Sequence, residues 1–193
     1  FRKMKRQNTR TIPFRRKRNG KTNYKRRLAL LKGDCPRIVV RKTLNNMYVQ
    51  IIDFDPVGDK VLASASSVQL VKKGWKLNPV NTPAAYLVGF MAGKLAVEKK
   101  ISKAILDLGL QSTIAKSKLY AALKGAVDAG LKVPYSEKVI PSEDRIKGLH
   151  VEEYAKNLKE NKEKYEKQFS KYIKNGIKPE EVSKYFEEMK SKL

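Results

Sequence analysis

From Thr22 the apolar positions recur at helical spacing: Tyr24, Leu28 and Leu31 stand at i, i+4 and i+7. Thr22 or Asn23 can cap the start, and Gly33 suits the left-handed residue after the end. The stripe predicts a short helix docked by one face, with Arg26 and Arg27 turned away from it. The period then changes to two. "RIVVRKT" (37–43) alternates Arg37, Val39 and Arg41 against Ile38, Val40 and Lys42. "MYVQIIDF" (47–54) and "KVLASASS" (60–67) continue as strands, separated by "LNN" and by the Pro–Gly turn "DPVGD". Short connections make the three an antiparallel meander. Arg37, Arg41, Tyr48 and Gln50 are candidates for one partly exposed sheet face, although the register cannot be fixed from these turns.

After Trp75 the pattern is helical again. "AAYLVGFMAGKLAVEKK" (84–100) carries Gly89 and Gly93 four apart beside Ala85, Ala92 and Ala96, a small-residue face expected to pack closely on a sheet. "KAILDLGL" (103–110) reads as a buried strand, and 117–131 as a helix with Leu119, Leu123, Ala126 and Val127 inward. From about Asp144 Lys and Glu dominate at helical spacing. Two helices are predicted there, over 151–173 and, opened by Pro179 and acidic residues, over 179–193. The fold class is therefore α/β: a mixed sheet with a three-stranded antiparallel meander followed by helix, strand and helix, plus a basic N-terminal arm and a helical C-terminal extension. The expected division is 1–33 (arm and short helix), 34–140 (globular domain) and 141–193 (extension).

Charge changes the picture. The 193 residues carry 43 Lys or Arg against 19 Asp or Glu, a formal charge of +24. Residues 1–33 hold fourteen of the bases and no acid; Asp34 is the first carboxylate. Such a block repels itself and calls for a polyanion. Residues 1–20 read as an arm without its own fold, reaching up to about 70 Å if extended, disordered alone and ordered on RNA. They show no wide apolar face of the kind that lays a helix on a membrane. No apolar run is long enough to span one, and the first residues lack the apolar core of a signal peptide. The chain starts without methionine, so one processed or unobserved residue is expected before Phe1.

The remaining chemistry is sparse. One cysteine, Cys35, excludes an internal disulfide and fits a reducing compartment. With His150 the only histidine, the two cannot by themselves supply four tetrahedral zinc ligands. Asp53, Asp55 and Asp59 cluster in sequence, as a metal-dependent nuclease would require, but Asp55 and Asp59 read better as turn residues, and Asp107 and Asp128 as makers of structural hydrogen bonds. Ser117, flanked by Lys116 and Lys118, stands at a helix start where phosphate can bind. The stretch lacks Walker glycines, so no nucleotide site is expected. Phosphate ligands are expected at Arg15, Arg16, Lys17, Arg18, Lys21, Arg26 and Arg27. Asn23 and Tyr24 would supply hydrogen bonding or stacking, Tyr24 alternatively core packing. Arg37, Arg41 and Tyr48 are the sheet candidates.

The order of elements, with "PFRRKRNGKTNYKRRLALLKGDCPRIVVRKT", "VQIIDFDPVGDKVLASASS", "NTPAAYLVGFMAGKLA", "AILDLGLQS" and "GAVDAGLKVP", resembles the universal large-subunit ribosomal protein family numbered eighteen. The match runs from Pro13 to Pro134, and the long arm and helical tail resemble the archaeal branch. The resemblance implies a structural constituent of the cytoplasmic ribosome that binds 5S ribosomal RNA. It also implies contact with the large ribosomal RNA and neighbouring large-subunit proteins in the central protuberance. It implies no catalysis, organic cofactor, metal, membrane or small-molecule substrate.

Overall fold

The computed structural model describes residues 11–193, so the expectations for residues 1–10 lie outside the described residues. Strands β1 (Arg37–Lys42), β2 (Met47–Asp53) and β3 (Lys60–Ser66) form the expected antiparallel meander. A fourth strand, β4 (Ile105–Asp107), adds parallel to β1 and completes the order β3-β2-β1-β4. Arg37 lies opposite Ile52, Val39 opposite Gln50 and Arg41 opposite Tyr48. This register puts Arg37, Arg41, Tyr48 and Gln50 on one face, as the alternation requires. The opposite residues, Ile38, Val40, Val49, Ile51, Ala63 and Ala65, are buried. A bulge between Ile51 and Ile52 shifts the pairing with β3, from Ile51 opposite Ala63 to Ile52 opposite Val61.

Helices α4 (Thr82–Glu98) and α5 (Lys118–Asp128) cover the buried face. Asn81 caps α4 by accepting from the Ala84 amide at 2.8 Å. The small residues of α4 do not serve chiefly to approach the sheet, as expected, but to admit α5. A Cβ on Gly89 would run into the Ala122 carbonyl, and one on Gly125 into the Tyr86 carbonyl. The two backbones touch because both helices are glycine at the crossing.

Other boundaries also differ. A short α3 (Ser67–Lys72) follows β3 directly, fixed by a capping box between Ser66 and Gln69. The expected 103–110 strand shrinks to Ile105–Asp107. On one side Lys103 bridges to Lys132; on the other Gly109, at φ +60°, turns the chain away. Within the arm, residues 15–18 form one helical turn, α1 (Arg15–Arg18), with no buried residue, and α2 (Tyr24–Leu31) follows.

The C-terminal part comprises α6 (Glu143–Lys147), α7 (Leu149–Leu158), α8 (Lys162–Lys174), a 3-10 turn (Pro179–Glu181) and α9 (Val182–Lys192). The single helix expected over 151–173 is broken because the Asn161 side chain accepts from the Lys164 amide and starts α8 afresh. Ile146, Ile177, Val182, Phe186 and Met189 belong to the same core as α4, with Phe186 against Tyr86 at 5.5 Å between ring centroids. The core is thus continuous across residue 140. Buried Glu152 on α7 accepts from the Ser183 amide at 2.6 Å and caps the start of α9. No helix among the described residues is long and apolar enough to cross a membrane.

Candidate nucleic-acid interface

The basic segment returns to the open face of the sheet through α2. Asn23 caps this helix by accepting from the Arg26 amide at 3.0 Å. Just before it, Arg16 Nε donates to Thr22 Oγ1 at 2.8 Å, and the Phe14 and Tyr24 rings lie 4.9 Å apart. Tyr24 therefore packs on the arm rather than in the core. The expected apolar docking stripe is not what holds α2. None of its residues is buried, and Leu28 is 58% exposed. Arg26 and Arg27, expected to point outward, reach back to the body. Arg26 Nη1 donates to the Gly109 carbonyl at 3.1 Å. Arg27 grips Asp59 with both terminal nitrogens, at 2.7 and 2.8 Å.

Asp59 is the first link of a chain of charges that crosses the sheet. Its Oδ2 also accepts from Arg37 at 2.8 Å, and Arg37 donates to Asp107 Oδ2 at 3.0 Å. Asp107 Oδ1 accepts from Arg41 at 3.0 Å and from the Gly109 amide at 2.8 Å. Arg41 donates further to the carbonyls of Val40 and Asp107. Strand alternation supplies Arg37 and Arg41, β4 supplies Asp107 beside them, and the β2–β3 turn supplies Asp59. Three guanidinium groups meet two carboxylates, leaving one net positive charge.

This arrangement corrects the expected sheet face. Arg37 is 3% exposed and cannot reach a phosphate without rearrangement. Arg41 and Tyr48 stay partly exposed. A buried Arg between two carboxylates is neutralised in place, because an unpaired buried charge would cost several kcal/mol.

Both carboxylates titrate below their ordinary range. At Asp59 the Arg27 hydrogen bonds lower the pKa, with Arg37 adding to them against burial. At Asp107 burial pulls upward, but the Arg41 charge, the Gly109 amide and Arg37 together outweigh it. A carboxylate whose pKa falls on folding contributes stability that is complete above its unfolded value, about 4, and is lost as pH drops toward the folded one. The melting midpoint is therefore expected to fall below about pH 4, and Asp107→Asn to flatten that acid limb. Parallel limbs for variant and parent would show that Asp107 carries no pH-linked stability.

Between α1, α2 and the sheet lies a cleft of about 450 Å³, lined by Arg16, Lys21, Asn23, Tyr24, Arg26 and Arg41 among others. Arg15, Arg16, Lys17, Arg18 and Lys21 are exposed, and none pairs with a carboxylate among the described residues. They are the free cations of the site. Lys116 and Lys118 do not line the cleft. Lys116 is exposed, at φ +59°. Lys118 turns its ammonium to the Val80 carbonyl at 2.7 Å, and burial lowers its pKa. The Ser117 hydroxyl makes no cap bond.

Asp59 is the expected turn residue and Asp107 makes the expected structural hydrogen bonds; what reasoning from sequence missed is that these two, with Gly109, organise the arginines. The turn "DPVGD" and the strand "AILDLGL" held them, but nothing local links them to Arg27. Asp53, Asp55 and Asp128 stand apart from this chain of charges. Asp53 accepts from the Phe54 amide, Asp55 from the Val57 amide and Lys60, and Asp128 from Tyr86 and Lys124. Among the described residues no three His, Cys, Asp or Glu side chains gather as metal ligands.

Comparison with known proteins bears on this geometry. The family model for ribosomal large subunit proteins 60S L5 and 50S L18 matches residues 8–102 and 92–136. The large ribosomal subunit protein uL18 of Methanococcus maripaludis is 46% identical over 182 residues, covering 94% of each chain.

Proposed function

The chain belongs to the family of ribosomal large subunit proteins 60S L5 and 50S L18, and on that premise we propose that it binds 5S ribosomal RNA and helps attach it to the large ribosomal RNA in the central protuberance. As a member it is a structural constituent of the large subunit in the cytoplasmic ribosome, among ribosomal RNA and neighbouring proteins, and the family is not one of enzymes. The observation that supports the finer reading is the set of unpaired cations on α1 and its loop, poised beside a cleft. Arg15, Arg16, Lys17, Arg18, Lys21 and Arg26 offer charge-assisted hydrogen bonds to phosphate oxygens. Tyr24 and Tyr48 offer ring faces to unstacked bases. Folded RNA is read mainly by shape, 2′-hydroxyls and backbone, and an arrangement of many cations with few specific donors suits that mode. Lys116 is retained as an outlying phosphate contact.

The test is retention of a 5S transcript by the purified protein at low ionic strength, against an unrelated folded RNA of equal length. Preferential retention of 5S RNA supports the reading. Equal retention reduces it to general polyanion binding, and no retention by a folded protein removes it.

A further inference from the structure

We propose that Asp59, an acid at an RNA-facing surface, is a positioning residue for RNA capture: it latches α2 to the sheet through Arg27. The proposal rests on the reading of this face as the RNA surface. Helix α2 has no buried residue to hold it in place. Its main polar tethers to the body are the two-pronged grip of Arg27 on Asp59 and the single bond from Arg26 to Gly109. Asp59 is itself held by Arg37, which is buried and anchored on Asp107. The latch therefore joins α2 to the rigid sheet. Arg16, Lys21 and Arg26 take their places around the cleft only while α2 stays down. Freed, the helix would have to be ordered anew by the RNA, and ordering consumes affinity.

The direction of the effect separates this role from simple electrostatics. Loss of a negative charge beside RNA should strengthen binding, by about eightfold at 0.1 M salt if one more phosphate is neutralised. A latch predicts the reverse. Asp59→Asn is expected to weaken binding to the 5S transcript by about tenfold or more and to speed amide exchange over residues 24–31. Arg27→Lys keeps the charge and leaves Asp59 on Arg37, yet loses the two-pronged grip; it is expected to lower affinity and α2 protection likewise. In the double variant Arg27→Gln with Asp59→Asn, the Arg27 change should add little to the Asp59 change. Tighter binding by Asp59→Asn, or unaltered α2 protection in Arg27→Lys, would overturn the proposal. Should Asp59→Asn fail to fold, Arg27→Lys alone decides. Absence of binding by the parent protein would instead refute the RNA reading, a separate result.

Discussion

Alanine at position 125 should cost the protein at least about 2 kcal/mol, and valine should leave it largely unfolded. The added Cβ would meet the Tyr86 carbonyl and lie 2.8 Å from the Phe90 nitrogen. Both are backbone atoms within α4 and cannot rotate aside, so the helices must part. Overpacking a core usually costs about 1–3 kcal/mol where side chains can yield. Here they cannot, and the cost should reach or pass the upper end. Helix propensity returns about 1 kcal/mol on replacing Gly by Ala, which leaves a substantial net loss against a total stability of about 5–15 kcal/mol. Gly89→Ala should behave alike, since its Cβ would strike the Ala122 carbonyl. Because one shift of α4 relieves both clashes, the pair should cost less than the sum of the singles. Gly58, with nothing within 4 Å of an added Cβ, is the control. Urea unfolding measures the alanine variants and the control; a loss below about 1 kcal/mol for Gly125→Ala would mean that the crossing has slack.

Replacing Arg15, Arg16, Lys17 and Arg18 together with glutamine should weaken RNA binding about a thousandfold at 0.1 M salt, if each side chain neutralises one phosphate. The slope of log affinity against log salt should shallow by about 2.8–3.6, the range between single strands and duplex. The fold should be untouched, because α1 buries nothing. Arg37→Gln should do the opposite. It leaves Asp59 and Asp107 each short of a buried partner, so stability should fall by about 3–5 kcal/mol while the salt slope of the surviving folded protein stays. Titration of each variant with 5S transcript over a salt series, beside its melting curve, distinguishes the two classes of arginine. An unchanged slope in the fourfold variant would remove residues 15–18 from the list of phosphate ligands.

Such a division of arginines was only half legible in the sequence. Arg15 to Arg18 stand out because no acid lies near them in the chain, and among the described residues none has a carboxylate partner. Arg27 looked the same locally, but its carboxylate comes thirty-two residues later. Spacing within a helix carries no trace of such a partner, so the stripe of Tyr24, Leu28 and Leu31 reads as the docking face of α2. The sheet was more legible. Alternation in "RIVVRKT" sorts the two faces wherever the strands pair, and the structure keeps that sorting. The register awaited the Thr43–Asn46 turn, closed by backbone and hydroxyl bonds, a geometry without a strong sequence mark. Ser66 and Gln69 form the capping box of α3, but the β-like "ASASS" reads as strand and hides that helix. Gly89 and Gly93 announced a close approach, but which element approaches is a long-range matter. The match to a known family carried the function further than any of these patterns.

The parallel pairing of β4 with β1 bears on how the molecule is made. During translation the meander can close as soon as β3 emerges, whereas Asp107 follows only after all of α4 has been synthesised. Through that interval Arg41 lacks its carboxylate and Arg37 has only one of two. Those two guanidinium groups would stay open to stray polyanions until β4 arrives and Asp107 takes them up.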